Sequence, residues 1–563
     1  MKNLLISLCI LIVADLLLSR CANMRAPTGG PRDTIPPVLL NADPNNGATN
    51  VKTQEFRLEF SEFVKADKIQ QQLIITPKID NKYKTVAKKN ILLLKFEDPF
   101  EDSTTYNFNF ADAVTDITEN NPAVNLSLAF STGSYIDSLG ISGSVIDLFK
   151  QEEAKGYLVG LYPYTDTLNY FTENPLYFTT SNDSGKFQIS YVKAGLYKLL
   201  VFKDENRNIL LDPETEQHGF IPDSILLYSK ITLEKPIPTL LQDVKPITYI
   251  NARPTGPYIE LKYSKTISDY MIEPAFLPHS IVGENKEVLR IYKHEKTVIG
   301  DSILLVANVR DSLGNNTLDS IKTAFIESNR KPSAFSYNIK SVNEFLQDNQ
   351  KFTVTFSKPV LTLDSTKFSY VRDSTFNYQL SPKFEWNQNR TLLTIETLEQ
   401  RDFLLDTLEK SFIVDTVSTD SLQLRKPPTE KDKLKPIELQ IDTAAFISVE
   451  KDTSDLRNIK VSLNEPKSFG TIQFVVQTEL KSFNVQLLDK SGRAVHSQKN
   501  QKEFSFAKVK PDKYSIRVLI DNNLDGIWSP GNLLKDIPPE DIYIYPEETA
   551  VRENWVLELD ISF

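Results

Sequence analysis

Cysteine is nearly absent. The 563 residues hold two, Cys9 and Cys21, both inside the N-terminal apolar segment. Nothing after Cys21 can form a disulfide or offer a thiolate to a metal. Histidine is scarce as well, with His218, His279, His294 and His496 widely separated. The nearest approach to a zinc-protease motif is His294-Glu295, and Val298 stands where its second histidine belongs. Positive charge is not in surplus. The formal net charge is −10 and no long basic block occurs, which argues against a nucleic-acid partner. There is no glycine-rich phosphate loop and no nucleophile elbow. No Ser/His/Asp set is defensible, and no carboxylate pair stands out as a glycosidase acid and base. These absences point away from an enzyme.

What is present is a repeat. Gly185-Lys186-Phe187-Gln188-Ile189 runs through Val192, Gly195 and Tyr197 to Asp204-Glu205-Asn206-Arg207-Asn208. Phe504, Phe506, Val509 and Tyr514 lead in the same way to Asp521-Asn522-Asn523-Leu524-Asp525-Gly526. Phe187 and Phe504, Val192 and Val509, Tyr197 and Tyr514, Asp204 and Asp521 all lie 317 residues apart. A gapless register of that length predicts a duplicated domain. In each copy the alternation of apolar residues is that of half-buried strands, with Gly185 and Gly195 expected to turn the chain. The first copy is longer around Tyr164 to Leu176, and a longer loop on one copy is a candidate contact surface.

The N-terminus reads as an address. Met1-Lys2-Asn3 is a short positive start, and Leu4 to Leu18 is an apolar stretch of secretory length. Leu18-Ser19-Arg20-Cys21 resembles a bacterial lipobox, with Arg20 where a small residue is usual; the resemblance implies acylation of Cys21. The alternatives are a signal peptide cut near Ala22 and an uncleaved anchor. Residues 22–33 form a tether rich in Pro and Gly. Surface-exported lipoproteins of Bacteroidetes carry acidic residues just after the cysteine. Ala22, Asn23, Met24 and Arg25 do not, which implies an outer-membrane lipoprotein facing the periplasm.

Residues 34–134 show short alternating strands, such as Phe56-Arg57-Leu58-Glu59-Phe60, between clusters of Asn, Asp, Pro and Gly. This is the pattern of an antiparallel sandwich. Asp33-x-x-Pro36-Pro37, Phe60-Ser61-Glu62, Thr105-Tyr106 and Phe130-Ser131-Thr132-Gly133 resemble the bacterial Ig-like domains of Bacteroidetes envelope proteins. Degenerate copies are expected at 236–330, on Asp311, Asn315-Asn316 and Phe325, and at 331–466, on Phe352-x-Val354-x-Phe356-Ser357-x-x-Val360. The repeat at 135–235 and 467–563 resembles the prealbumin-like accessory domain of carboxypeptidases. The expected fold is all-β, with tandem Ig-like sandwiches alternating with prealbumin-like ones. Helical signals are confined to Ala66–Leu73 and Ser341–Asp348.

One motif carries metal chemistry. Asp521-x-Asn523-x-Asp525-Gly526 has the spacing of the first half of a calcium loop, with oxygens at alternate positions before a glycine. Asn532 occupies the place of the bidentate Glu. The competing reading is a β-turn whose Asp and Asn side chains bond their own backbone. Of the many aromatics, Trp528 and Trp555 are the candidates for an exposed site. The resemblance as a whole implies a non-catalytic, lipid-anchored scaffold of the outer membrane with envelope protein partners. Glycan capture is the alternative.

Overall fold

The computed structural model describes residues 33–274, 280–283, 285–294, 297–327, 333–341, 350–373, 376–397, 437–461 and 469–563. The chain is all-β, and a single helical turn, Ile69–Gln72, lies inside the expected Ala66–Leu73 segment. The second expected helix, past Ser341, falls outside the described residues. Two compact units result. One comprises the chain to Ile146 with Glu153–Leu211 and Asp223–Ile237; the other comprises Asp147–Glu152, Asp212–Pro222 and Pro238–Phe563.

In the first unit, Leu39–Asp43, Glu55–Phe60, Ile91–Phe96 and Tyr83–Lys88 form one antiparallel sheet in that order. Ile74–Thr76, Thr105–Asn109 and Ser127–Ser131 form the facing one. The period-2 pattern sends Phe56, Leu58 and Phe60 into the same core as Tyr106, Phe108 and Phe130. Phe56 meets Phe130 with ring centroids 4.8 Å apart. Burying each such ring contributes roughly 1.5–3 kcal/mol, so alternation alone suffices to set this register.

The next module begins at Leu139–Asp147, which pairs antiparallel with Lys186–Val192 and parallel with Ile231–Thr232. Leu158–Pro163 lies between Tyr177–Thr180 and Gly195–Phe202. From Tyr197 to Phe202 every residue is buried, where the sequence suggests one buried face. The long loop supplies the reason on one face: Tyr170 folds back onto Tyr162, ring centroids 5.1 Å apart. Part of the expected contact surface is therefore turned onto its own sheet. Gly195 is also not the turn residue. The left-handed backbone is at Tyr191 (φ 61°), while a side chain at Gly195 would crowd the Tyr197 ring at 3.2 Å.

In the second unit, Tyr249–Pro254, Tyr258–Tyr263, Val288–Tyr292 and Ser280–Val282 repeat the four-strand order of the first sandwich. Tyr337–Ser341, Gln350–Phe356, Leu392–Thr397 and Lys383–Trp386 repeat it again. The last module starts at Gly470–Gln477, with Glu503–Val509 antiparallel on one side and Val556–Ser562 parallel on the other. Ile237–Leu241, just past the expected boundary at 235, pairs with Gln217–Phe220.

Candidate functional site

The duplication holds at the level of single hydrogen bonds. The Tyr197 hydroxyl donates to the Lys193 carbonyl and the Tyr514 hydroxyl to the Lys510 carbonyl, each at 2.9 Å. Tyr191 and Lys508 share the left-handed backbone, as do Arg207 and Leu524. Ile209 (φ 62°) occupies the place of Gly526 (φ 87°), a strained position for a β-branched residue.

The metal-like loop is built the same way in both copies. Asp521 accepts from the backbone N–H groups of Asp525 at 3.2 Å and Gly526 at 2.8 Å, and from the Ser482 hydroxyl at 2.6 Å. Asn523 accepts from the Asp525 N–H at 2.9 Å and Asp525 from the Ile527 N–H at 2.8 Å. In the twin, Asp204 accepts from the N–H groups of Asn208 and Ile209, both at 3.1 Å, and Asn208 from Leu210 at 2.7 Å. The Ser482 bond foremost, with the backbone N–H groups outweighing burial, holds the Asp521 carboxyl below the usual range. Asn532 is turned away to cap the short turn Leu533–Lys535. The acid that braces the loop is Glu540, which accepts from the N–H groups of Asn522, Asn523 and Ser529. The oxygens of Asp521, Asn523 and Asp525 thus each face a donor, the arrangement of a self-bonded turn and a poor fit to calcium, which needs them converging on one point. Among the described residues, no three His, Cys, Asp or Glu side chains are grouped to hold a metal.

Trp528 is not an exposed platform. It is half-buried, its ring 5.8 Å from that of Phe149, and its Nε1 donates to the Glu540 carbonyl at 3.2 Å. Around it Leu148, Leu240 and Ile542 form a small core with Leu519 and Ile544. Arg517 lies over Phe149 at 5.4 Å, and Gln242 Nε2 donates to the Gly531 carbonyl at 2.9 Å. A cavity of about 370 Å³ opens beside this joint, bordered by Phe149, Leu240, Gln242, Lys265, Leu313 and Pro530. Trp555 remains 56% exposed, under the Arg552 guanidinium at 4.9 Å. Cys21 lies outside the described residues.

A signal that sequence reading missed links the three sandwiches. Phe60-Ser61-x-x-Val64 and Phe356-Ser357-x-x-Val360 have a third relative, Tyr263-Ser264-x-x-Ile267. In all three the serine clasps the incoming chain twice. Its hydroxyl accepts from the N–H of Val38, Thr248 or Ser336, and its own N–H donates to the same residue's carbonyl. The residue after the serine varies in charge. Lys265 pairs with Asp311 at 2.9 Å, and the buried Lys358 pairs with Glu450 and with Asp452 at 2.6 Å. Glu62 takes this place in the first sandwich, where burial first, then Asp116 and Asp33, raise its pKa. Asp116 and Asp311, matched by spacing, are both buried and both accept backbone N–H groups of the following turn.

The class defined by this architecture is a series of β-sandwich modules of two kinds, one antiparallel and one with a parallel pair. Residues 33–132 match the family model of a bacterial Ig-like domain. No curated protein matches the chain. Among solved structures it is similar to E. coli alpha-2-macroglobulin in its native conformation, with 8% identity and a TM-score of 0.14. That match covers 86% of this chain and 42% of the macroglobulin. The human desmocollin-1 ectodomain is 9% identical, with 77% of this chain and 81% of that one covered and a TM-score of 0.13. The protocadherin gamma B2 extracellular cadherin domains are 8% identical, with 88% and 95% covered and a TM-score of 0.14.

Proposed function

We propose that the chain is a non-catalytic, lipid-anchored scaffold or adaptor of the bacterial outer membrane, facing the periplasm and working in an envelope assembly or secretion complex. The joint in the second unit carries the reading. Segments 147–152 and 238–242 are fixed to the last module by the Leu148–Leu240–Ile542 core and the Gln242 bond, and Asn532 Nδ2 of that module reaches the Asn315 side chain at 3.3 Å. Within this unit, segments held together by apolar burial present their surfaces in fixed relation, as a scaffold requires. Trp528, half-buried against Phe149, is a poorer platform for a glycan than the sequence suggests. Two experiments test the proposal. Cys21→Ala should abolish fatty-acid incorporation at that site, and labelling equal to the parent would sink the anchor. A tagged chain drawn from detergent-solubilised membranes should bring a stable membrane-protein partner; retention on a glycan column without such a partner would favour the alternative.

A further inference from the structure

The first sandwich has two ends of different character. Entry takes place at one: Val38 is clasped by Ser61, and the Asn121 side chain donates to the Asp33 carbonyl at 3.0 Å. The chain leaves at the other, where the Asn50 N–H donates to the Gly133 carbonyl and the Asp137 N–H to the Thr105 hydroxyl. Strands of five or six residues separate the ends by roughly 15–20 Å.

Apolar side chains stand in the open at the entry end. Ile35 is 68% exposed, Phe63 57%, Ile117 49% and Val124 68%. Two of them are tied by backbone, since the Ile117 N–H donates to the Phe63 carbonyl, and Pro122 bridges to Thr115 beside them. Ile35 precedes the strand Leu39–Asp43 and the other three lie in connections between strands, and none of the four belongs to the core. Charge at this end is mixed and carries no basic surplus, with Lys65, Lys88 and Lys89 near Asp33, Glu62, Asp116 and Glu119. Attraction here would come from apolar burial rather than from net charge.

We propose that this end is a membrane-contacting tip, with Ile35, Phe63, Ile117 and Val124 entering the lipid surface to which Cys21 ties the chain. The orientation rests on the lipid-anchor reading above. The dozen residues from Cys21 to Asp33 reach at most about 40 Å and join the sandwich at its entry end, which brings that end within reach of the headgroups. The tip adds an apolar contact beside the lipid anchor and fixes which way the first sandwich stands.

The test uses the whole mature chain without its lipid, begun at Ala22, and vesicles of phosphatidylethanolamine and phosphatidylglycerol. The parent should float with the vesicles, with little dependence on salt. The triple variant Ile35→Ser, Phe63→Ser, Ile117→Ser should lose vesicle partitioning by about tenfold or more while melting as the parent does. This chain has no other thiol, so Phe63→Cys can be labelled alone with an environment-sensitive dye. Its emission should shift to the blue on vesicles, and that of a Val475→Cys control in the last module should not. A parent that stays in solution, a triple variant that floats equally, or an unmoved dye at position 63 overturns the tip. So does a triple variant that keeps its vesicle binding and loses a protein partner. Fatty-acid labelling of Cys21 in cells reads the anchor separately, so a failed tip on a labelled chain leaves the anchor standing.

Discussion

His218 should make the second unit lose stability between neutral pH and about pH 4. It is 1% exposed on the strand Gln217–Phe220. Its Nδ1 faces the Glu216 carbonyl at 3.4 Å, and its Nε2 has no hydrogen-bond partner among the described residues. Burial disfavours the imidazolium more than the Glu216 carbonyl and Asp243 favour it, and the pKa falls from 6.5 to about 4. In the unfolded chain the ring titrates near its ordinary value. Between those two pH values the unfolded state holds a proton that the folded state refuses, so stability falls as pH falls. The contribution is fully present above about pH 6.5 and gone near pH 4. At 1.36 kcal/mol per pH unit the span amounts to about 3 kcal/mol.

The measurement is urea unfolding of the parent and of His218→Leu at several pH values from 7 to 4. Tryptophan fluorescence follows it, because Trp386, Trp528 and Trp555 all lie in the same unit as His218. The leucine variant lacks the titrating ring, so the parent's stability relative to the variant should drop by about 3 kcal/mol from pH 7 to pH 4. Parallel acid sensitivity in the two proteins would refute the reasoning. It would mean that water reaches the ring or that Asp243 sustains the imidazolium.

Lys358→Met should destabilise the third Ig-like sandwich by about 3–5 kcal/mol, because Glu450 and Asp452 would be left facing each other without their cation. Adding Glu450→Gln and Asp452→Asn should recover much of the loss in denaturant titrations. Thermal melts in millimolar calcium, magnesium or chelator should coincide, since the Asp521–Gly526 loop bonds its own donors; a calcium-specific rise abolished by Asp525→Ala would restore the metal site. Tyr197→Phe and Tyr514→Phe should each cost about 1 kcal/mol, the worth of one half-buried hydrogen bond, and unequal costs would mean that the two copies use the tyrosine differently.

The sequence made legible what is local and periodic. Alternation placed the strands of the first sandwich. The 317-residue register carried the tyrosine bond and the Asx ladder from one copy to the other, because both depend on bonds spanning four or five residues. What escaped was non-local. Phe149 and Trp528 lie far apart in the chain, and nothing in the composition around either marks the other as its partner. Ile237–Leu241 escaped for a different reason. Pro238 is disfavoured in strands, yet Ile237–Leu241 is one, since a strand accommodates a proline whose missing N–H the ladder does not need.

The serine clasp shows most clearly where pattern reading stops. Phe60-Ser61 and Phe356-Ser357 stood out because the flanking residues are identical, while Tyr263-Ser264 kept only the chemistry. An aromatic ring fills the core, a hydroxyl closes the entry and a β-branched side chain re-enters three positions after the serine. Tyr for Phe and Ile for Val satisfy those demands equally. The residue directly after the serine is free to vary because the clasp does not use it, and it is Glu62 in one copy and Lys265 or Lys358 in the others. In the two lysine copies the ammonium crosses to acids on the facing part of the sandwich and ties the entry loop down. In the first copy Glu62 meets Asp116 and Asp33 instead, so this position brings like charges together where the lysines bring opposite ones. Its neighbour Phe63 points outward. The first sandwich thus differs from its two relatives at the one end that the tether approaches, where a surface given to contact rather than to internal cohesion belongs.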